Sequence, residues 1–330
     1  MKIVHNIFDK IISLENLFND WDIFKIGKRK KTDVQEFEKD LEDNIFLLHN
    51  ELENKIYAHG RYTSFYVTDP KVRHIHKAPV RDRVVHHALF NMLYPLFDKD
   101  FISDSYSCRI NKGIHKAVDQ FQIYARKTTK NDTRNCFVLK CDIQKFFASI
   151  DHGILKALIR KKIEDENALW LINTIIDSFH SGAGFDKGAP IGNLTSQLFA
   201  NIYLNEFDRF IKHNLKIPHY IRYSDDFIVL NENKEFLMNL IPIIKEFLKT
   251  NLKLTLHPKK ISIRPYHQGI DFLGYTLFPH HLLPKTRTRK RVFAKLKSRA
   301  TLWKDGKIPI AALDNSLQSY FGFLKHANSY

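Results

Sequence analysis

Cysteine is scarce, with three residues in 330: Cys108, Cys136 and Cys141. None forms a CxxC pair and none has a histidine cluster beside it, which excludes a disulfide framework and a thiolate zinc site and fits a reducing compartment. The 17 histidines are scattered. The adjacent pairs His86-His87 and His280-His281 do not share a helix face, as metal ligands at i, i+4 would. No run of about 18 apolar residues occurs, and the opening Met1-Lys2-Ile3-Val4-His5 carries no apolar signal region. A soluble, cytoplasmic protein with no membrane partner is therefore expected. Repeats and low-complexity linkers are absent as well. Acidic residues are the minority, 36 Asp and Glu against 52 Lys and Arg, for a formal net charge of +16. So basic a surface attracts polyanions, and phosphate neutralisation with counterion release is the usual reason to build one. A basic protein without a specific partner, or one that binds an anionic membrane face, stays open at this point.

What is present is ordinary for a globular chain: 44% hydrophobic and 27% charged residues, enough for one large domain or two modest ones. Residues up to about Tyr57 read as helical, with Leu41, Ile45, Leu48 and Leu52 at helical spacing. Pro70 and Pro79 bracket Lys71 to Lys77, where apolar and polar residues alternate as in a strand with basic side chains on one face. Helical spacing returns from Arg83 to Phe97. Phe137 to Asp142 is a short apolar strand ending on a carboxylate, followed by a helical stretch from His152 to Phe179. Gly182, Gly184, Gly188, Pro190 and Gly192 mark a loop. Thr195 to Ile211 reads as helix, Tyr220 to Leu230 as a hairpin with Asp225-Asp226 at its turn, Ile243 to Asn251 as helix and Leu252 to Leu256 as strand. From Lys285 the chain is basic and then helical, to His326. Strands and helices mix without βαβ alternation, so the class is α+β. The expected divisions are 1–57, a helical extension, then 58–136, 137–284 and 285–330.

Two-metal phosphoryl transfer needs carboxylates from separate chain segments. Mg²⁺ takes only a few of them, with substrate phosphates completing its shell. Asp142 at a strand end and Asp225-Asp226 at a hairpin turn fit that need. An isolated Asp-Asp pair is more often a solvated turn, but this one is walled by Ile221 and by Ile228-Val229-Leu230, which a solvated turn does not need.

Tyr223-Ser224-Asp225-Asp226 resembles the YxDD box of reverse transcriptases. Leu139-Lys140-Cys141-Asp142-Ile143-Gln144-Lys145-Phe146-Phe147 resembles their first palm motif, and Gly188-Ala189-Pro190-Ile191-Gly192-Asn193-Leu194-Thr195-Ser196-Gln197 the motif between, in the same order and separation. The resemblance implies a right-hand polymerase fold: fingers in 58–136, palm with primer grip in 137–284 and a short basic helical thumb in 285–330. It implies two Mg²⁺ ions, with Mn²⁺ as a substitute, held by Asp142, Ile143, Asp225 and Asp226, with Lys260 as general acid near the leaving pyrophosphate. Phe147 matches the steric gate against ribonucleotides. Arg73, then Arg81 and Arg83, would hold the triphosphate of a dNTP, with Ile191, Gly192 and Gln197 also at the nucleotide. For Arg81 and Arg83 an ion pair with Asp82 or Asp98 is the alternative, and for Lys260 a solvated lysine pair with Lys259. Arg109, Tyr223, Gly274 in the primer-grip turn, and Arg287, Arg289, Lys290 and Arg291 would touch template or primer.

Many reverse transcriptases carry Gln-Gly where Ile191-Gly192 stands and Ser-Pro where Ser196-Gln197 stands. Ile-Gly with Ser-Gln resembles the enzymes of diversity-generating retroelements, which copy a template RNA and misincorporate opposite adenine. That resemblance implies a template RNA, a cDNA/RNA duplex product, a small basic accessory protein and mutagenic retrohoming. The NAxxH and VTG strings usual in retron enzymes do not occur. The sequence ends at Tyr330, so no RNase H or integrase domain is expected in cis. A stand-alone bacterial enzyme of antiviral defence, a retron-like enzyme, or a degenerate polymerase fold that only binds RNA are the alternatives.

Overall fold

The structure, a computed structural model, describes residues 3–69, 71–182, 184 and 186–327. Pro70, expected to precede a strand, lies outside them, as do Met1 and Lys2 of the opening, Ala183 and Phe185 of the glycine-rich loop, and Tyr330.

Four helices open the chain: α1 (Phe8–Ile12), α2 (Leu14–Lys25), α3 (Thr32–Lys39) and α4 (Leu41–Glu53). Ser13 starts α2 by accepting the Asn16 N–H, and α4 buries Ile45, Leu48 and Leu52, the stripe its spacing predicts. β1 (Thr63–Val67) and β2 (Arg73–Lys77) form an antiparallel hairpin with Phe65 opposite Ile75. β1 escapes sequence reading because all five of its residues are exposed and nothing alternates. There follow α5 (Val80–Asp98), α6 (Ile114–Thr129), β3 (Phe137–Asp142) and the single turn α7 (Phe146–Ser149).

The helix expected over His152–Phe179 is two, α8 (His152–Arg160) and α9 (Glu166–Asp177). Asp165 divides them. Its carboxylate caps α9, accepting the Asn167 and Ala168 N–H groups at 3.0 Å. The same carboxylate accepts those of Ile7 and Phe8 at 2.7 and 2.9 Å. α10 (Leu194–Arg209) runs into a π-helical turn at Phe210–Asn214, ahead of β4 (Tyr220–Tyr223) and β5 (Asp226–Asn231). α11 (Lys234–Leu252) starts well before the expected Ile243 and carries Pro242 inside it. Leu252–Leu256 is not a strand. Leu252 closes α11, and Leu256 makes an isolated bridge to Ile143. The chain ends in β6 (Ser262–Pro265), β7 (Ile270–Phe272), β8 (Tyr275–Leu277), β9 (Leu282–Pro284), α12 (Thr286–Lys304) and α13 (Ile310–Leu324).

Two compact units are built from non-contiguous segments. The first takes Met1–Cys108, Ile143–Lys216 and Ile244–Leu256. It holds the β1–β2 hairpin and a helical core around Trp21, Val84, Leu89, Ile172, Tyr203 and Phe207, all fully buried. The second takes Arg109–Asp142, Ile217–Ile243 and His257–Tyr330. It holds a four-stranded antiparallel sheet in the order β4-β5-β3-β6, a three-stranded sheet β7-β8-β9, and the packed helices α12 and α13. Antiparallel sheets with segregated helices make the class α+β, as expected. Among the described residues no helix is long and apolar enough to cross a membrane.

Candidate active site

β3 runs between β5 and β6, and its apolar residues Val138, Leu139 and Cys141 are buried with Phe227, Ile228, Val229 and Leu230 of β5. The apolar walls fix the register, since a one-residue slip would turn each strand inside out. In that register Asp142, the last residue of β3, stands opposite Asp226, the first of β5, and Tyr223 stands opposite Asp226 on the other side. Asp226 is thus a strand residue, and the hairpin turn itself is Ser224-Asp225. Ser224 takes a left-handed φ of 57°, as the first residue of a two-residue hairpin turn can. A non-glycine residue there costs about 1 kcal/mol or more. Arg222, buried in β4, supports the turn by donating from Nη1 to the Ser224 carbonyl at 3.2 Å.

Lys260 closes a 3-10 turn, Pro258–Lys260, that hangs from Asp142. The His257 N–H donates to the Asp142 carbonyl at 2.8 Å, and Lys260 Nζ donates to Asp142 Oδ2 at 2.8 Å. The sequence left Lys260 as either general acid or solvated lysine; its side chain is exposed, and its ammonium sits on the almost fully buried carboxylate of Asp142. Burial raises the proton affinity of Asp225, and the Asp142 charge raises it further, while Lys260 acts against both. Two residues before Asp142, the half-buried Lys140 donates to the Asp271 carbonyl at 2.9 Å. Its pKa is lowered by burial, which outweighs the Asp226, Asp271 and Asp142 charges beside it.

The residues expected at the nucleotide lie in the other unit, where one loop gathers several of them. Ala189 N–H donates to the Phe147 carbonyl and Gly188 N–H to that of Ile150, both at 2.8 Å. On the other side His76 N–H of β2 donates to the Ile191 carbonyl at 2.9 Å, and Asn193 Nδ2 donates to the His76 carbonyl at 2.8 Å. Phe147, Ile191, Gly192 and the strand that carries Arg73 are therefore tied together. Gly192 has φ +122°, and a Cβ there would lie 2.8 Å from Ile75 Cγ2. Arg73 is exposed and Gln197 lies on the exposed side of α10.

Arg81 and Arg83 differ from Arg73. Arg81 Nη1 grips both oxygens of Glu51 at 2.8 and 2.9 Å, with Asp82 at 3.6 Å. Arg83 pairs with Asp33, not with Asp98, and lies over the Phe24 ring. Asp82 is thus a partner of Arg81, as the sequence offered, while Glu51 and Asp33 lie in the N-terminal helices, beyond the near neighbours it named. In the second unit Arg109 is half-buried, and Gly274, at φ +93°, turns β7 into β8 with its carbonyl accepting the Lys285 N–H at 2.9 Å. Arg287, Arg289, Lys290 and Arg291 are exposed on α12, which buries none of its residues.

Among the described residues no group of three or more His, Cys, Asp or Glu is gathered closely enough to form a metal cage by itself. The donors nonetheless suit Mg²⁺. They are hard carboxylate oxygens, those of Asp142 and Asp226 in register across two strands, and burial, with the Asp142 charge adding to it, raises Asp225. A cation that completes its shell with water and phosphate needs no protein cage.

Residues 68–277 match the family described as Reverse transcriptase (RNA-dependent DNA polymerase), well over half of the chain. The chain belongs to the reverse transcriptase family. Among its relatives in that family, Protein YkfC of Escherichia coli (strain K12) is 26% identical over 243 residues, covering 63% of this chain and 63% of its own length. Group II intron-encoded protein LtrA of Lactococcus lactis subsp. cremoris is 23% identical over 304 residues, 72% of this chain and 47% of its own length. The chain thus spans less than two thirds of either relative. A telomerase from Candida albicans, solved with a fragment of telomeric RNA, superposes with a TM-score of 0.52 at 11% identity, over 76% of this chain and 52% of that one. That likeness shows the fold, the right-hand polymerase fold of reverse transcriptases.

Proposed function

We propose that the chain is an RNA-directed DNA polymerase that extends a primer on an RNA template from dNTPs, with Asp142, Asp225 and Asp226 as its metal-binding carboxylates. The observation that carries the reading is the register of Asp142 opposite Asp226, with Asp225 in the adjoining turn, inside an apolar sheet of a family member. Two divalent ions, Mg²⁺ or in its place Mn²⁺, would supply activation of the primer 3′ hydroxyl and charge neutralisation at the leaving pyrophosphate. Ile143 can add only its main-chain carbonyl to that set. Lys260 Nζ, already at Asp142, carries a proton for a leaving pyrophosphate oxygen. Arg73, free of ion pairs among the described residues, would bind the triphosphate. Arg81 and Arg83 stand behind it, committed to Glu51 and Asp33. Phe147 would crowd a 2′ hydroxyl, and Ile191, Gly192 and Gln197 would line the nascent pair. Arg109, Tyr223, Gly274 and the cations of α12 would hold template and primer, mostly through phosphates that carry no sequence information.

The fingers, palm and thumb divisions at 58–136, 137–284 and 285–330 belong to the same reading, as does a cytoplasmic site of action. Within the family we favour a diversity-generating retroelement enzyme, working with a structured template RNA and a small basic accessory protein. Ile191 supports this, because it cannot hydrogen-bond an incoming nucleotide as Gln can and so weakens checking of the pair. Ile191→Gln is expected to lower errors opposite template adenine by about tenfold, one hydrogen bond's worth of discrimination, read by sequencing the cDNA. An unchanged adenine bias removes that role, and an absence of bias in the wild type favours the stand-alone defence reading.

Asp142→Asn tests the polymerase itself. Loss of primer extension with RNA binding retained is expected; unchanged extension contradicts the carboxylate assignment, and a wild type that binds RNA but never extends a primer supports the binding-only reading.

A further inference from the structure

Lys140 is a cation in the middle of a strand paired on both sides, opposite Ile228 and Ser262. Lysine is rarely taken into a sheet interior unless something there uses it. Residues two apart in a strand share a face, so Lys140 stands on the face of Asp142, one step from the Asp142–Asp226 pair. Its ammonium is spent on a main-chain carbonyl, that of Asp271 in β7, at 2.9 Å. Asp271 precedes the turn of Phe272-Leu273-Gly274-Tyr275. Its side chain gathers the same neighbourhood: Thr276 Oγ1 donates to Oδ1 at 2.7 Å and Lys285 Nζ to Oδ2 at 2.6 Å. Lys285 in turn donates its N–H to the Gly274 carbonyl and begins α12. One hydrogen bond from Lys140 thus links the strand of the acids to the turn of Gly274 and to the start of α12, all within the second unit.

We propose that Lys140 is a positioning residue, which holds the Gly274 turn at a fixed place relative to Asp142 and Asp226 and so sets where the primer 3′ terminus lies. The proposal rests on the polymerase reading above. A methionine could fill the space of the lysine stem at lower desolvation cost, so the ammonium is explained by what it holds rather than by packing.

The test is steady-state extension of a DNA primer annealed to an RNA template, varying primer–template and dNTP separately. Lys140→Met is expected to raise the primer–template KM about tenfold, the scale of one charge-assisted hydrogen bond, with the dNTP KM within about twofold. Lys140→Arg, which keeps the charge and a donor, restores most of the primer affinity. A purely structural role would lower the active fraction, and with it kcat, while leaving both KM values alone. That pattern overturns the proposal. Should Lys140→Met fail to fold, Lys140→Gln keeps a donor without the charge and is expected to give an intermediate primer KM; a wild-type value there also overturns it. A wild type that extends no primer overturns the polymerase reading and this proposal with it, whereas wild-type extension with an unaltered primer KM in the variants overturns this proposal alone.

Discussion

At the scale of residues, the three acids are not equivalent. Asp142 is held by Lys260, whereas Asp225 sits in a strained turn where burial and the Asp142 charge oppose its ionisation. A carboxyl with a raised pKa keeps its proton in the fold at a pH where the unfolded chain has already released it. Stability therefore falls as pH rises from about 4, the unfolded value, through the raised one, and the loss persists at neutral pH. Asp225→Asn is expected to abolish extension yet raise the melting temperature of the metal-free protein at pH 7, and to flatten the decline between pH 4 and 7. Thermal denaturation in chelator across that range checks it; a lower melting temperature at pH 7 counts against it. As candidates, the acids and Lys260 were legible because their residue types sit in a recognisable order along the chain. Lys140 and Arg222 were not, because what marks them is register and the carbonyl each one holds, neither of which spacing can show.

At the scale of elements, tertiary partners decide most departures from the expected pattern. Asp165 splits one apolar periodicity into α8 and α9 by capping the second and anchoring the N-terminus of α1. α11 passes through Pro242, which sequence reading takes for a boundary. The apolar alternation of Leu252–Leu256 gives its first residue to α11 and reaches a single bridge at Leu256, to Ile143, too little pairing for a strand. Where both faces are buried, as in β3 and β5, the pattern was enough. The loop of Gly188–Asn193 is the element whose placement carries most of the nucleotide reading, and Gly192 is where it presses on β2. Gly192→Ala places a Cβ against Ile75 in a backbone region that alanine disfavours. It is expected to push the loop off β2 and raise the dNTP KM about tenfold, the equivalent of 1–2 kcal/mol of strain, with primer–template KM little changed. A dNTP KM equal to wild type would show that the loop does not shape the nucleotide site.

At the scale of the molecule, the excess of +16 is the feature composition declared first. α12 displays part of it: Arg287, Arg289, Lys290 and Arg291 lie on a helix with no buried residue. RNA affinity is expected to fall steeply with salt, since each neutralised phosphate releases a counterion. Replacing Arg289 and Lys290 with alanine should reduce the slope of log affinity against log salt by about 2, with similar losses for unrelated RNA sequences. An unchanged slope would place the phosphate contacts elsewhere. The α+β class was legible, and so was the family, because several motifs recur in order. The division into two units was not, because each is assembled from three separated segments and no linker composition marks the joins.

The most direct measurement is primer extension on an RNA template with Mg²⁺ and dNTPs, comparing wild type with Asp142→Asn at equal occupancy of template. The wild type is expected to make cDNA and the variant to lose more than about a hundredfold in rate, beyond what disturbing a metal's outer shell costs, while binding the same RNA equally well. Extension by Asp142→Asn at the wild-type rate would contradict the assignment of these carboxylates as the centre of the chemistry.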